Sequence, residues 1–266
     1  MIRIGICTAA ENLDKIAAIG FDYIELGLSR TAALSDAEFS ELEAMVSASP
    51  LKAECFNGML PAEVRVTGDN VNATAQHEYL DHAFSRARRL GGRVVVFGSS
   101  AARNVPYGFP IDMAWRQIAN FLRLVERHAA AYDITVAIEP LRRAECNVIN
   151  YVSEAVMLAS LFQLPHIKAL GDTYHMAVGS ESFKALTLAG SVLAHVHTAN
   201  GLDRRCPSFG DGEDYTGIFK ALLLGGYDGR VSIEGRFDDL EHEAREGLEV
   251  LTKAREAAMN EIASGK

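Results

Sequence analysis

The chain has 266 residues, of which 48% are hydrophobic and 23% charged, a make-up that suits a globular protein with a large core and excludes a disordered or fibrous one. Its formal net charge of −9 weighs against a nucleic-acid partner, which calls for a basic face, and no apolar run approaches the roughly 20 residues that cross a bilayer. Cys7, Cys55, Cys146 and Cys206 form no C-x-x-C pair, which argues against a disulfide framework or a thiolate zinc site.

The sequence enters patterned structure at once, with no basic segment ahead of a long apolar stretch, so a cytoplasmic protein without a signal peptide is expected. Short apolar or β-branched runs then recur along the chain. They predict strands at Ile2–Cys7, Asp22–Gly27, Leu51–Asn57, Arg93–Gly98, Thr135–Pro140, Ile167–Asp172, Leu193–Thr198 and Arg230–Gly235. Between them lie stretches such as AEFSELEAMVSA, QHEYLDHAFSRARRL and AWRQIANFLRLVERHAAAY, with apolar residues at i, i+3, i+4 and i+7, the period of an amphipathic helix. Gly20, Gly91 with Gly92, and Gly225 with Gly226 precede the next strand, where glycine ends a helix. The strands are nearly all apolar, as in a parallel sheet covered on both sides. Eight such units with no linker between them predict a single-domain α/β fold, a (β/α)8 TIM barrel. A doubly wound open sheet competes, but the first turn, GICTAAEN, lacks a G-x-G-x-x-G phosphate loop.

Polar residues gather at the predicted strand ends. Strand five reaches Glu139, strand six Asp172, strand seven His197 and strand eight Glu234. In a barrel these ends meet at one rim, where such folds carry their active sites. Taken singly, a glutamate could be a solvated loop residue, Asp172 a helix cap and a strand histidine a core residue; their coincidence at four successive ends favours a shared site. Three carboxylates so close would raise one another's pKa, and one divalent cation would relieve that. Oxygen donors with one imidazole suit Mn²⁺, Co²⁺ or Mg²⁺, with Zn²⁺ or Fe²⁺ also compatible. His195, two residues before His197, shares its face and lies about 7 Å deeper, so it is expected to support the site as a buried hydrogen-bonding residue.

These residues resemble the sugar isomerase/epimerase superfamily with a xylose-isomerase-like barrel, most closely from Val136 to Phe237. AIEPLRRAE is similar to the strand-five metal glutamate followed by a second glutamate, which implies Glu139 as ligand and Glu145 as a contact to substrate hydroxyls. GDTYH resembles the family's D-x-x-H, with Asp172 a ligand and His175 a hydrogen-bonding partner of the sugar. HVHTANGLDRRCP resembles the segment that carries ligand His197 and a substrate-binding arginine; its connection is one residue longer than in ketose epimerases, so Arg204 is the matched residue and Arg205 the alternative. GYDGRVSIEGRF carries the last ligand, Glu234.

The resemblance implies a metal-dependent isomerase or epimerase of a sugar or related polyhydroxy ketone, with proton transfer through a metal-stabilised enediolate. Glu139 and Glu234 would be the catalytic pair on opposite faces of the substrate, the cation most naturally Mn²⁺ or Co²⁺, and the protein a homodimer or homotetramer. An inosose dehydratase-like lyase is the main alternative. An apurinic endonuclease-like protein would need more rim histidines, whereas His77, His82, His128 and His242 are expected on helix surfaces; a catalytically silent sugar-binding member would not need a complete acid/base pair. Arg103, in FGSSAARNVPYGF, could reach a ligand or be a solvated loop residue, and Glu25 could contact substrate or form a buried ion pair.

Overall fold

A computed structural model describes residues 1–265. Eight parallel strands, β1 (Arg3–Cys7), β2 (Tyr23–Gly27), β3 (Ala53–Asn57), β4 (Val94–Phe97), β5 (Thr135–Ile138), β6 (Ile167–Asp172), β7 (Leu193–Thr198) and β8 (Arg230–Ile233), close into a barrel in sequence order. Helices such as Asp36–Ala48, Ala73–Arg89, Ile111–Tyr132 and Leu240–Ala263 run over the outside. The predicted (β/α)8 TIM barrel is the observed fold.

β6 and β7 have the predicted limits, and the other strands are shorter by one or two residues. β5 stops at Ile138 because Pro140, two residues on, has no N–H to carry the ladder further. Gly20 and Gly91 take φ of 107° and 101°, a left-handed geometry that glycine adopts without the Cβ penalty.

Side chains alternate across each strand, and this divides the core. Tyr23, Cys55, Val94, Val96, Ala137 and Leu170 pack inside the barrel, while a larger set, including Ile24, Phe56, Val95, Phe97, Val136 and Ile138, packs against the helices. The inward rows of β2, β5 and β6 therefore run Tyr23–Glu25, Ala137–Glu139 and Leu170–Asp172 toward the C-terminal rim. Register aligns the same level of β6 to β8, with Asp172 beside His197 and His197 beside Ser232. At the opposite mouth Arg3 and Arg230 converge on Glu54, at 2.7 Å and 2.6 Å. No helix among the described residues is long and apolar enough to cross a membrane.

Candidate active site

At the C-terminal rim one donor atom from each of Glu139, Asp172, His197 and Glu234 lies within 4.8 Å of every other. His197 is at the centre: its Nδ1 stands 3.1 Å from Glu139 Oε1, 3.3 Å from Glu234 Oε2 and 4.0 Å from Asp172 Oδ2. Asp172 serves two ends, since its Oδ1 accepts the His175 backbone N–H at 2.9 Å while Oδ2 faces the cluster. The helix-cap expectation for this residue is met, and its second carboxylate oxygen turns to the cluster. Glu234 is held from three directions, by the Asn57 amide at 3.2 Å, by Arg204 Nη2 at 2.6 Å and by His197.

Electrostatics mark the centre as built for positive charge. Burial raises the Asp172 carboxyl above its ordinary value, reinforced by Glu139 and Glu234 and opposed by His175 and His197. Burial opposes ionisation of Glu234 too, but His197 and Arg204 outweigh it and hold that carboxyl at about 2. Burial likewise opposes charge on His197, yet Glu25 and Glu234 keep it well above the usual imidazole value. Three crowded carboxylates that pull a proton onto the one imidazole among them form a donor set that fits a divalent cation. His175 points at the same space. Its Nδ1 accepts the Arg142 N–H at 3.3 Å, and its buried Nε2 has no hydrogen-bond partner among the described residues.

Residues 13–254 match the family described as xylose isomerase-like TIM barrel. The chain belongs to that family. Over 226 residues it is 26% identical to D-psicose 3-epimerase of Ruminiclostridium cellulolyticum, across 84% of this chain and 76% of that protein. Over 154 residues it is 30% identical to 3-dehydro-D-guloside 4-epimerase of Escherichia coli, across 55% of this chain and 58% of that protein. The solved structure of D-psicose 3-epimerase with D-tagatose from Clostridium cellulolyticum H10 superposes with a TM-score of 0.84 at 22% identity, covering 96% of this chain and 99% of that one.

Within this xylose isomerase-like barrel the predicted site residues come together. Arg204 lies at the rim, whereas Arg205 turns away to Asp238 and Glu243, at 2.8 and 3.3 Å. Arg204 takes a left-handed φ of 60°, a strained geometry for a side-chain-bearing residue. The loop that carries it crosses Gly235 so closely that a Cβ there would lie 2.8 Å from the Cys206 nitrogen. Glu145 sits between two guanidiniums, 2.6 Å from Arg142 Nε and 3.7 Å from Arg204 Nη1. Both arginines stack over Tyr174, at 5.4 and 5.1 Å.

Two sequence expectations need correction. Arg103 is neither a ligand-contacting nor a solvated side chain: it is wholly buried, donating to the carbonyls of Phe97 and Glu139, both at 2.6 Å, over the Phe97 ring. It ties the ends of β4 and β5 together behind Glu139. His128 is buried as well, its Nε2 2.9 Å from Nδ1 of the exposed His77. Glu25 forms the buried ion-pair arrangement, 2.8 Å from His195 and 2.9 Å from His197. Sequence reasoning missed Asn57 and Gly98. A Cβ at Gly98 would overlap the Glu139 carboxylate, and the only signal was glycine directly after an apolar strand.

Proposed function

We propose that this barrel is a divalent-metal-dependent epimerase or isomerase of a sugar or related polyhydroxy ketone, with Glu139, Asp172, His197 and Glu234 as metal ligands and Glu139 and Glu234 as the proton-transfer pair. The observation that carries the reading is the four-residue cluster, in which two glutamates from β5 and β8 reach to either side of His197 Nδ1. When bound, the cation neutralises the cluster and stabilises negative charge that develops on the substrate's oxygens.

The remaining chemistry belongs to the side chains. One glutamate removes the proton from the carbon next to the carbonyl, and the other returns a proton from the opposite face. Return to the neighbouring carbon on the same face would give isomerisation instead. Glutamate is a weak base in water, so the site must hold buried Glu139 and half-buried Glu234 in direct contact with the substrate's proton. The hydrogen on His175 Nε2, free because Nδ1 is already an acceptor, donates to the substrate's carbonyl oxygen. Arg204 orients Glu234 and, with Glu145, meets the hydroxyls. The names of the two relatives support this chemistry, since C3 of a 2-ketose and C4 of a 3-keto sugar are both carbons next to a carbonyl.

Hard oxygen donors with one imidazole favour Mn²⁺ or Co²⁺. The protein in this reading is a cytoplasmic homodimer or homotetramer that takes a free sugar or polyol-derived ketone and has no nucleic-acid or membrane partner. The test is a screen of ketohexoses, ketopentoses, 3-keto glycosides, hydroxypyruvate and inososes with Mn²⁺ or Co²⁺ in D₂O. Deuterium entering the carbon next to the carbonyl, with an inverted or isomerised product, is expected. A product lacking the elements of water would make the enzyme a lyase, and no exchange with any substrate would overturn the reading.

A further inference from the structure

Glu25 lies fully buried on β2, one level below the cluster, and donates no atom to it. Its carboxylate nevertheless collects bonds from two other strands. His197 Nε2 is 2.9 Å from Oε1, while His195 Nε2 and the Ser232 hydroxyl are 2.8 and 2.6 Å from Oε2. Behind them Tyr23 Oη is 2.8 Å from Ser232 Oγ, and Cys55 Sγ is 3.9 Å from His195 Nδ1. All six side chains point into the barrel interior and are fully buried.

Hydrogen counting fixes most of this network. Two imidazole nitrogens and a hydroxyl all lie within hydrogen-bond distance of Glu25, which meets them as an acceptor-only carboxylate. Both imidazoles must then donate from Nε2. Ser232 spends its hydrogen on Glu25 and accepts from Tyr23. His195 donates from Nε2 to Glu25, and its Nδ1 faces the Cys55 thiol. With its Nε2 hydrogen committed to Glu25, His197 turns Nδ1 toward Glu139, Asp172 and Glu234, and that nitrogen offers its lone pair once a cation takes the place of a proton there. The packing agrees: a Cβ on Gly5 would overlap the Tyr23 ring, so glycine on β1 leaves room for the tyrosine that ends the chain of donors.

We infer that Glu25 is the positioning residue of the centre: it fixes the tautomer and ring orientation of His197, while His195, Ser232 and Tyr23 hold Glu25 in place. The inference rests on the metal-centre reading above. It assigns β2 a part in a site whose four ligands all come from β5 to β8. It also separates the two histidines by function, since both bond one carboxylate and only His197 has its second nitrogen in the cluster. Carboxylate–histidine–metal pairs of this kind typically contribute about 10- to 100-fold to metal affinity.

The test compares wild type, Glu25→Gln and Ser232→Ala. Glutamine keeps the shape but presents one donor and one acceptor, so one imidazole faces the wrong group. Titration with Co²⁺ reads affinity, and ¹⁵N NMR of histidine-labelled protein without cation, at a pH high enough to make His197 neutral, reads its tautomer. Glu25→Gln is expected to weaken Co²⁺ binding about 10- to 100-fold and to move His197 away from the Nε2–H form. Ser232→Ala, which removes a hydroxyl that bonds Glu25 and not His197, should shift both readouts in the same direction by a smaller factor, and it decides the matter if Glu25→Gln does not fold. Unchanged affinity and unchanged tautomer in a folded variant would overturn the inference. Failure of wild type to bind Co²⁺ would instead remove the metal-centre reading, and the tautomer measurement would still judge Glu25.

Discussion

Alanine at Gly98 is the most local perturbation the site offers. Gly98 follows β4 directly and its φ is not left-handed, so the backbone accepts alanine without strain. The added Cβ, however, falls inside the space of the Glu139 carboxylate, where non-bonded heavy atoms need about 3.5 Å. Relief requires Glu139 to move by about 1–2 Å. It cannot do so through its backbone, because its N–H is bonded to Phe97 O at 3.2 Å and its carbonyl is held by Arg103 at 2.6 Å. The side chain must rotate instead, away from His197. A misplacement of about 1 Å in a reacting group costs about 10²-fold in rate, whereas glycine to alanine in a compatible backbone gains about 0.4–1 kcal/mol by restricting the unfolded chain. Gly98→Ala should therefore lower deuterium exchange into substrate about 10²-fold and weaken Co²⁺ affinity, with a melting temperature within a few degrees of wild type. Full exchange activity together with unchanged Co²⁺ affinity would refute the argument that this glycine exists to admit Glu139.

Glu139→Gln and Glu234→Gln should each lower exchange by at least about 10²-fold while far-UV circular dichroism stays unchanged, and near-wild-type exchange by either would rule out the two-carboxylate scheme. Chelation should lower the calorimetric melting temperature, and Mn²⁺ or Co²⁺ at about 100 times its dissociation constant should return about 2.7 kcal/mol; a transition indifferent to both would count against the metal centre. Arg103→Met leaves the buried Glu139 carbonyl without its donor, while Phe97 O keeps the Glu139 N–H, so urea unfolding should show a loss of at least about 1 kcal/mol, and a smaller loss would mean that water replaces the guanidinium. For Glu54, burial alone would raise the carboxyl, but hydrogen bonds from Arg3 and Arg230 lower it. A depressed carboxyl stabilises the fold above its unfolded value, about 4.3, and loses that contribution as pH falls below it. The destabilisation by Glu54→Gln should therefore be present at pH 7 and fade toward pH 3 in urea titrations, and a gap independent of pH would exclude the linkage.

The four-residue cluster was legible because each of its members stands at or just past the C-terminal end of an apolar strand, where periodicity alone counts the residues to the rim. β6 and β7 could be placed to the residue, and with them Asp172 and His197. Glu139 and Glu234 were also found, although their strands end one residue earlier. What the sequence hid is held by contacts across the barrel. Arg103 reads as a loop arginine, and nothing local says that the carbonyls of Phe97 and Glu139 will close around it. His128 lies on the inward stripe of its helix, in line with Phe121, Leu122 and Val125, where its polar ring argued for the surface.

Glu25 is the instructive case, because the sequence carried a signal that went only half used. In the run Tyr23–Ile24–Glu25–Leu26 every residue is buried, and a carboxylate there must be matched by donors at its own depth. β7 places two histidines inward at successive levels, and β8 places a serine beside them. The bonds of Glu25 to His195 and His197 join residues 170 and 172 positions apart. An open sheet with the same strands could not make them, since it is closure of β8 onto β1 that carries β2 round to face β7. The barrel thus does more than gather ligands at one rim: it lets a residue from its first quarter decide which nitrogen of His197 the centre uses.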